Sequence, residues 1–390
     1  MKYQKIIIGS GAAGLFFAAA CSAGAGLILE KTDSPGKKLL LSGSGQCNLT
    51  HGGSIKAFIS HYGSAGKRIR SALYKHNNQS LMDFFTEHGM DLLERPDGKV
   101  FPRCLDARQV LELLLRLGRE NGWQLKTDCP VTSLAVQPNG MFLINGELET
   151  KQVIIAAGGC SYPATGSDGS MFPILESLGL KIVSPRPALV PITVQNYPYK
   201  ALRGISFPSA VVRIDSHQLT GPLLLTHNSF SGPAVLDLSR YAQSGSSMEI
   251  SYASELTTLP KASSSKKSAA VFLAERLALP KRFVEIILKR AGIEPGKKAA
   301  ALSGKEQKTI LRLLTCDTFS ISGTSGFSSA MATCGGVSLD ETDLKTFACK
   351  KYPGLFVIGE ALDVDGDTGG YNLQFAFSSA KRAAVAASNE

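Results

Sequence analysis

Residues 3–30 read YQKIIIGSGAAGLFFAAACSAGAGLILE, and the order of residue types in this stretch decides the fold. Tyr3 to Ile8 is a short β-branched run. Gly9-Ser10-Gly11-Ala12-Ala13-Gly14 follows at once, Leu15 to Ala23 has helical character, and Leu27-Ile28-Leu29 reads as a second strand ending in Glu30. Strand, GxGxxG, helix, strand and acid in that order form a dinucleotide-binding unit, with Glu30 standing 21 residues beyond Gly9. Each glycine has its own task in such a unit. Gly9 permits the tight turn, Gly11 lets the backbone approach a diphosphate, and Gly14 lets helix and strand pack closely. The helix start at Ala12 and Ala13 offers N–H groups to the phosphates, and Glu30 would accept hydrogen bonds from the adenosine ribose. The 24 uncharged residues from Ile6 to Leu29 imitate a signal peptide or membrane span, but five glycines and two serines interrupt them, and the nucleotide unit explains the missing charge.

Outward from this unit, the whole chain has 390 residues, enough for two or three domains at about 100–200 residues each. With 44% hydrophobic and 19% charged residues it can bury a sizeable core and is not a disordered chain. The formal net charge is +10, and it is unevenly spread: between Glu255 and Thr315 there are 13 basic and 5 acidic residues, a local excess of +8. Such an excess favours anionic partners. The expectation is a solvated helical face, with a nucleic-acid partner unlikely. The eight cysteines form no CxxC pair and the six histidines show no ligand spacing, so no metal site is expected and the protein reads as cytoplasmic and thiol-reduced, with no membrane span.

Three further segments point at the same cofactor. Behind the second strand come Lys31, Pro35-Gly36-Lys37-Lys38-Leu39 and Ser42-Gly43-Ser44-Gly45-Gln46-Cys47-Asn48. A Gly/Ser-rich loop there can lie along an extended cofactor, the alternative being a mobile surface loop, and Lys37 and Lys38 would help neutralise a diphosphate. Val153 to Gly159 is a buried strand ending in a turn at Ala157-Gly158-Gly159. Trp123–Lys126, Val131–Val136 and Met141–Ile144 read as strands, the last followed by an Asn145-Gly146 hairpin, with Val131 as the backbone contact for adenine. Gly354 to Glu360 is an apolar strand ending in Gly359-Glu360, where a carboxylate could receive a flavin ribityl hydroxyl. Asp367, Gly370, Tyr371, Asn372 and Leu373 then open a helix running to Ala387, whose N-terminus would face the flavin pyrimidine edge, where negative charge develops on reduction. The alternating Asp363, Asp365 and Asp367 suggest a calcium loop, but the twelfth loop position is Gln374 where a bidentate Glu is required.

These segments resemble the BaiN/RdsA-type (YhiN-like) NAD(P)/FAD-dependent oxidoreductases. The resemblance rests on GSGAAGL at 9–15, GKKLLLSGSGQCNLT at 36–50, DGKVFP at 97–102, AAGGCSYPATGSDG at 156–169, LTHNSFSGPAVLDLSR at 225–240, GGVSLDETD at 335–343 and GLFVIGEALDVDGDTGGYNLQFAFSS at 354–379. It implies bound FAD and an α/β fold: a Rossmann-like FAD-binding domain with an inserted small β-barrel-like domain that itself carries a helical insert. On this chain the parts would be 1–186 and 335–390 for the FAD domain, 187–254 and 316–334 for the β domain, and 255–315 for the basic helical insert. Pro185, Pro187 and Pro191 mark one boundary, and Arg282–Arg290 and Lys305–Leu314 read as helices. Two departures stand out. Gln46 takes the place of an Arg, which would remove a fixed cation near the cofactor, and Ser229 replaces a Gly, which would alter a turn.

The activity implied is flavin-dependent oxidoreduction: NAD(P)H-driven reduction of an activated C=C bond in a 3-oxo, bile-acid-like enone, or, as alternatives, an aminoacetone-type amine oxidase using dioxygen or a flavin-dependent RNA-modifying protein. The partner expected is a small, anionic molecule. With one GxGxxG unit only, NAD(P)H would be a transient reductant without a Rossmann site of its own. Tyr162, Tyr371 and His227 are the candidate proton donors by motif position, each also readable as structural. Cys47, lacking a neighbouring cysteine, reads as packing.

Overall fold

The computed structural model describes residues 2–21, 26–263 and 265–388. Lys2–Ile8 pairs in parallel with Leu27–Leu29 on one side and with Leu148–Ile155 on the other, and Gln124–Lys126 extends the sheet beyond Leu27–Leu29. Leu148–Ile155 is long enough to carry two neighbours on its far edge. Phe142–Ile144 runs antiparallel along its first half and Leu355–Val357 parallel along its second. Leu134–Val136 completes a seven-stranded Rossmann-type sheet. The central strands are continuous apolar runs because both faces are covered: Ile6, Ile7, Val153, Ile154, Ile155, Leu355, Phe356 and Val357 have no exposure. Helices Ala12–Ala20, Ala107–Glu120 and Tyr371–Ala387 supply much of that cover.

Several elements differ from the sequence expectation for local reasons. The first helix spans Ala12–Ala20, and the expected end at Ala23 lies outside the described residues. Val131 is not in a strand: the Asn145 carboxamide takes the N–H groups of Thr132 and Ser133 and donates to Pro130 O, so a side chain holds this segment in place of a ladder. Asn145 and Gly146 have φ of +52° and +70°, the left-handed pair that a two-residue hairpin needs.

The chain divides into two compact units, Met1–Ala188 with Ala330–Glu390, and Leu189–Ser329. Pro187, Ala188 and residues 330–334 thus go with the first unit, because Ile182–Ala188 pairs antiparallel with Ala332–Val337. Two of the prolines meant to mark the boundary, Pro185 and Pro187, sit inside that edge pairing, where the register shifts between Val183 and Arg186, and Pro191 falls in the second unit.

The second unit is a closed barrel of six antiparallel strands in the order Ile192–Val194, Phe230–Ser231, His217–Leu225, Ser206–Ile214, Ser247–Ser251 and Asp317–Thr324. The last two are hydrogen-bonded neighbours, so the basic segment between them is one long excursion from a hairpin. It forms helices Ala269–Leu277, Lys281–Arg290 and Gly304–Thr315, whose apolar faces join the barrel residues in one core. The junction is pinned by Asp317, whose side chain is 1% exposed. Both Asp317 oxygens receive Arg290, at 2.6 and 2.7 Å, and the Tyr199 and Tyr252 hydroxyls donate to one of them. The turn at Ser229, where the family carries a Gly, is held by Thr226. Ser229 is absent from the left-handed φ region and exchanges hydrogen bonds with Thr226, so no glycine is required.

Candidate functional site

Parallel register brings four strand ends level: Ile8 faces Leu29 and Ile155, and Ile155 faces Val357. The residues that follow them, Gly9, Glu30, Ala156 and Ile358, are therefore delivered to one edge, the carboxyl end of the sheet where nucleotides bind in this class of fold. The three glycines of the first turn are distinguishable there. Gly9 has φ +102°, and a Cβ would lie 2.5 Å from Ala156 O. A Cβ on Gly14 would lie 2.0 Å from Gly9 O. At Gly11 nothing stands within 4 Å, and the helix starting beyond it has no side-chain cap, so the N–H groups around Ala12 and Ala13 face open room.

Glu30 is buried at the end of the second strand, its carboxylate taking N–H and hydroxyl donors from both Ser10 and Thr32. Accepting a ribose would require the two hydroxyls to turn away, which leaves the two backbone donors in place. Lys31 is held by Asp168 and Ser170, and Lys37 by Asp33, so neither cation is free in this arrangement. Lys38 instead meets Glu360 in an ion pair whose side chains are about a quarter exposed. Ser161 bonds to both partners, and Thr333 N–H donates to Glu360 Oε1 at 2.8 Å. Thr333 Oγ1 also receives the N–H groups of Cys160 and Ser161, fixing the turn after Ala157-Gly158-Gly159. Gly158 has φ +74° and approaches Ser167.

In the Gly/Ser-rich loop, Leu39 is buried below and Ser42 Oγ donates to its carbonyl. Gly43 and Cys47 both have left-handed φ, +57° and +59°. Burial pushes the Cys47 thiol up to about 12, which makes it a packing group. A cation stands beside Gln46: Arg95 Nη2 donates to Gln46 Oε1 at 2.6 Å, its guanidinium lying over the Phe101 ring. The neighbouring Asn48 Oδ1 is buried without a hydrogen-bond partner. Such an atom costs about 1–3 kcal/mol unless something donates to it.

The C-terminal helix is seated on this loop. A Cβ on Gly370, φ +99°, would lie 2.6 Å from the Thr50 backbone, so only glycine allows the helix to start there, and Thr50 Oγ1 donates to Gln374 Oε1 at 2.6 Å. Asn372 does not reach outward: it clamps Gly366 through both its amide atoms, at 2.8 Å each. Leu373 is half-buried. Tyr371 is 4% exposed, with the His51 and His61 rings stacked near it, and its carbonyl accepts from Tyr62. The His61 Nδ1–Asp367 Oδ2 distance is 2.9 Å, and the Asp367 N–H donates to His61 O, so the acid sets the ring's orientation. Tyr162 caps a short turn with left-handed φ of +52°, and His227 is exposed in the barrel unit. Among the described residues no three His, Cys, Asp or Glu side chains are grouped to hold a metal.

Thr333, Arg95 and His61 were not legible as site residues. Each acts across a long sequence separation, and no local pattern marks them.

A family model described as "HI0933-like protein Rossmann domain" matches residues 3–386. The chain is 32% identical to the "Ribosomal RNA dihydrouridine synthase" of Escherichia coli (strain K12), covering 97% of this chain and 96% of that one. It is 28% identical to the "3-dehydro-bile acid delta(4,6)-reductase" of Clostridium scindens over 98% of each. Among solved structures it is similar to a 3-ketosteroid-delta4-(5alpha)-dehydrogenase from Rhodococcus jostii RHA1, with a TM-score of 0.55 at 15% identity, covering 100% of this chain and 97% of that one, a likeness of fold.

Proposed function

Because the chain belongs to the HI0933-like family of FAD-dependent oxidoreductases, we propose that it reduces a carbon–carbon double bond conjugated to a carbonyl, with NAD(P)H as reductant and a uracil base of ribosomal RNA as substrate. The observation that carries this is the near end-to-end match to a relative named for dihydrouridine formation. Saturating a uracil and saturating a 3-oxo dienone are one type of chemistry, so the bile-acid relative is consistent with the reaction type while differing in substrate. On this reading the expectation that nucleic acid is an unlikely partner gives way to RNA.

The residues present fit FAD. Gly11 leaves open room at an uncapped helix start, a second uncapped helix start stands at Tyr371, and Asn48 Oδ1 awaits a donor. Gly9 to Gly14 would hold the diphosphate, Glu30 the adenosine ribose, and the Lys38–Glu360–Ser161 group with Asn48 the flavin half. FAD held there would, once reduced by NAD(P)H, supply the hydride that the β carbon of the conjugated bond takes up. This chain's own contribution is a proton for the α carbon, and His61 is best placed to hold it. Asp367 fixes its Nδ1, leaving Nε2 as the exchangeable position, and the His61 side chain is 35% exposed whereas Tyr371 is buried beneath it.

The test is an anaerobic incubation of FAD-loaded protein with NAD(P)H and unmodified ribosomal RNA transcript, followed by nucleoside mass spectrometry. Parallel arms carry a 3-oxo-Δ4,6 bile acid, and aminoacetone with dioxygen. Dihydrouridine in the first arm supports the proposal. Turnover confined to the bile acid would move the substrate to the steroid class, and peroxide from the amine alone would overturn the reductase reading.

A further inference from the structure

We infer that one face of helix Gly304–Thr315 is a docking site for the phosphate backbone of structured RNA. This inference rests on the RNA reading above and adds to it where the RNA is held. Lys305, Lys308, Thr309 and Arg312 recur at the spacing that places them on one side of a helix, and with Gly304 they line an open groove of about 570 Å³. Lys305, Lys308 and Arg312 are exposed and form no ion pair among the described residues. That is a choice made by the surrounding acids. Glu275 is taken by Lys267, Glu285 by Lys281, and Glu306, the one acid on this helix, by Lys297 and by the capping box at Ser303. The excess of +8 in the segment is thus concentrated on cations without partners, and the groove contains three of them.

The dimensions suit a phosphate row. Lys305 to Arg312 spans about 10 Å of helix axis at about 1.5 Å per residue, the rise of roughly three phosphates along one strand of a duplex. A Cβ on Gly304 would meet nothing within 4 Å, so no side chain blocks that end. The site reads backbone, not bases. Phe272 and Phe283, the aromatic residues of 261–315, are 6% and 0% exposed, so no ring is offered for stacking a single-stranded base. Charge without stacking is the pattern for double-stranded RNA, recognised by shape and phosphate.

The experiment compares FAD-loaded parent, the variant Lys305→Gln/Lys308→Gln/Arg312→Gln, and a control with equal charge loss, Lys56→Gln/Lys75→Gln/Arg108→Gln, in filter binding to unmodified ribosomal RNA transcript from 0.05 to 0.3 M salt. Losing three phosphate contacts lowers the slope of log K against log salt by about 2–3 and weakens binding about ten- to a hundredfold near 0.15 M. That result, with the control close to parent and with flavin absorbance and circular dichroism unchanged in all three, supports the site. Parent and helix variant binding alike overturns the site and leaves the RNA reading standing, as does an equal loss in the control. A parent that retains no RNA at 0.05 M salt overturns the RNA reading and the site with it.

Discussion

Two neighbouring glycines should respond in opposite ways to the same added methyl group. Gly11 has φ −80° and ψ −168°, an extended conformation open to any residue, and its Cβ would meet no atom within 4 Å. Gly11→Ala therefore leaves the apoprotein's stability within about 0.5 kcal/mol of the parent, because the loss of a favourable cap residue is offset by a less flexible unfolded chain. The methyl instead occupies the room in which the diphosphate is expected. Overfilling a close contact costs about 1–3 kcal/mol, so the FAD Kd rises about 5- to 150-fold. Gly14→Ala does the reverse. Its methyl would stand 2.0 Å from Gly9 O and 3.2 Å from Ile7 Cγ2, and the first of these is backbone that cannot rotate away. Helix and strand must separate, at a cost of about 3 kcal/mol or more to the apoprotein. Urea unfolding of both apoproteins and titration with FAD, followed by flavin fluorescence, give the four numbers needed. If Gly11→Ala unfolds at lower urea while its FAD affinity matches the parent, Gly11 is a packing residue and the diphosphate lies elsewhere.

Removing Arg290 by Arg290→Met leaves the Asp317 carboxylate buried and uncompensated, so the barrel unit loses about 3–5 kcal/mol in denaturant unfolding; an unchanged midpoint would show that the pair carries no net stability. His76 supplies a pH dependence. Burial, with Lys381 and Arg382 near, lowers its pKa to about 4, below the unfolded value of 6.5. The unfolded chain therefore binds a proton that the folded one refuses, and stability is lost as pH falls from about 6.5 towards 4, by about 3 kcal/mol in all. His76→Phe flattens that part of the curve, and a curve of parental shape would rule His76 out. Under native conditions a thiol reagent labels the exposed Cys104 well before Cys47, whose thiol is pushed up to about 12; labelling of both at one rate would show that the loop opens.

The opening unit and the Rossmann class were readable because a dinucleotide fold is written locally: β-branched run, three spaced glycines, helix and acid lie within one stretch, and Gly14 meets Gly9 O inside it. The barrel with its helical excursion was legible from the resemblance and from turn and charge patterns. The exact edges were not, since Ile182–Ala188 looks like a proline-rich linker until its partner Ala332–Val337 is known. Side-chain roles divide in the same way. Sequence placed Lys38 and Glu360 at the cofactor separately, and folding made them one ion pair across a separation of 322 residues. It marked Gln46 as a lost cation, and only the fold shows Arg95 standing beside it. It chose Tyr371 by motif, whereas packing buries that ring and leaves His61, oriented by Asp367, at the surface. Backbone conformation is decided by near neighbours and can be read along the chain. Which charge meets which, and which ring is covered, depends on residues that approach only after the sheet and its helices have assembled.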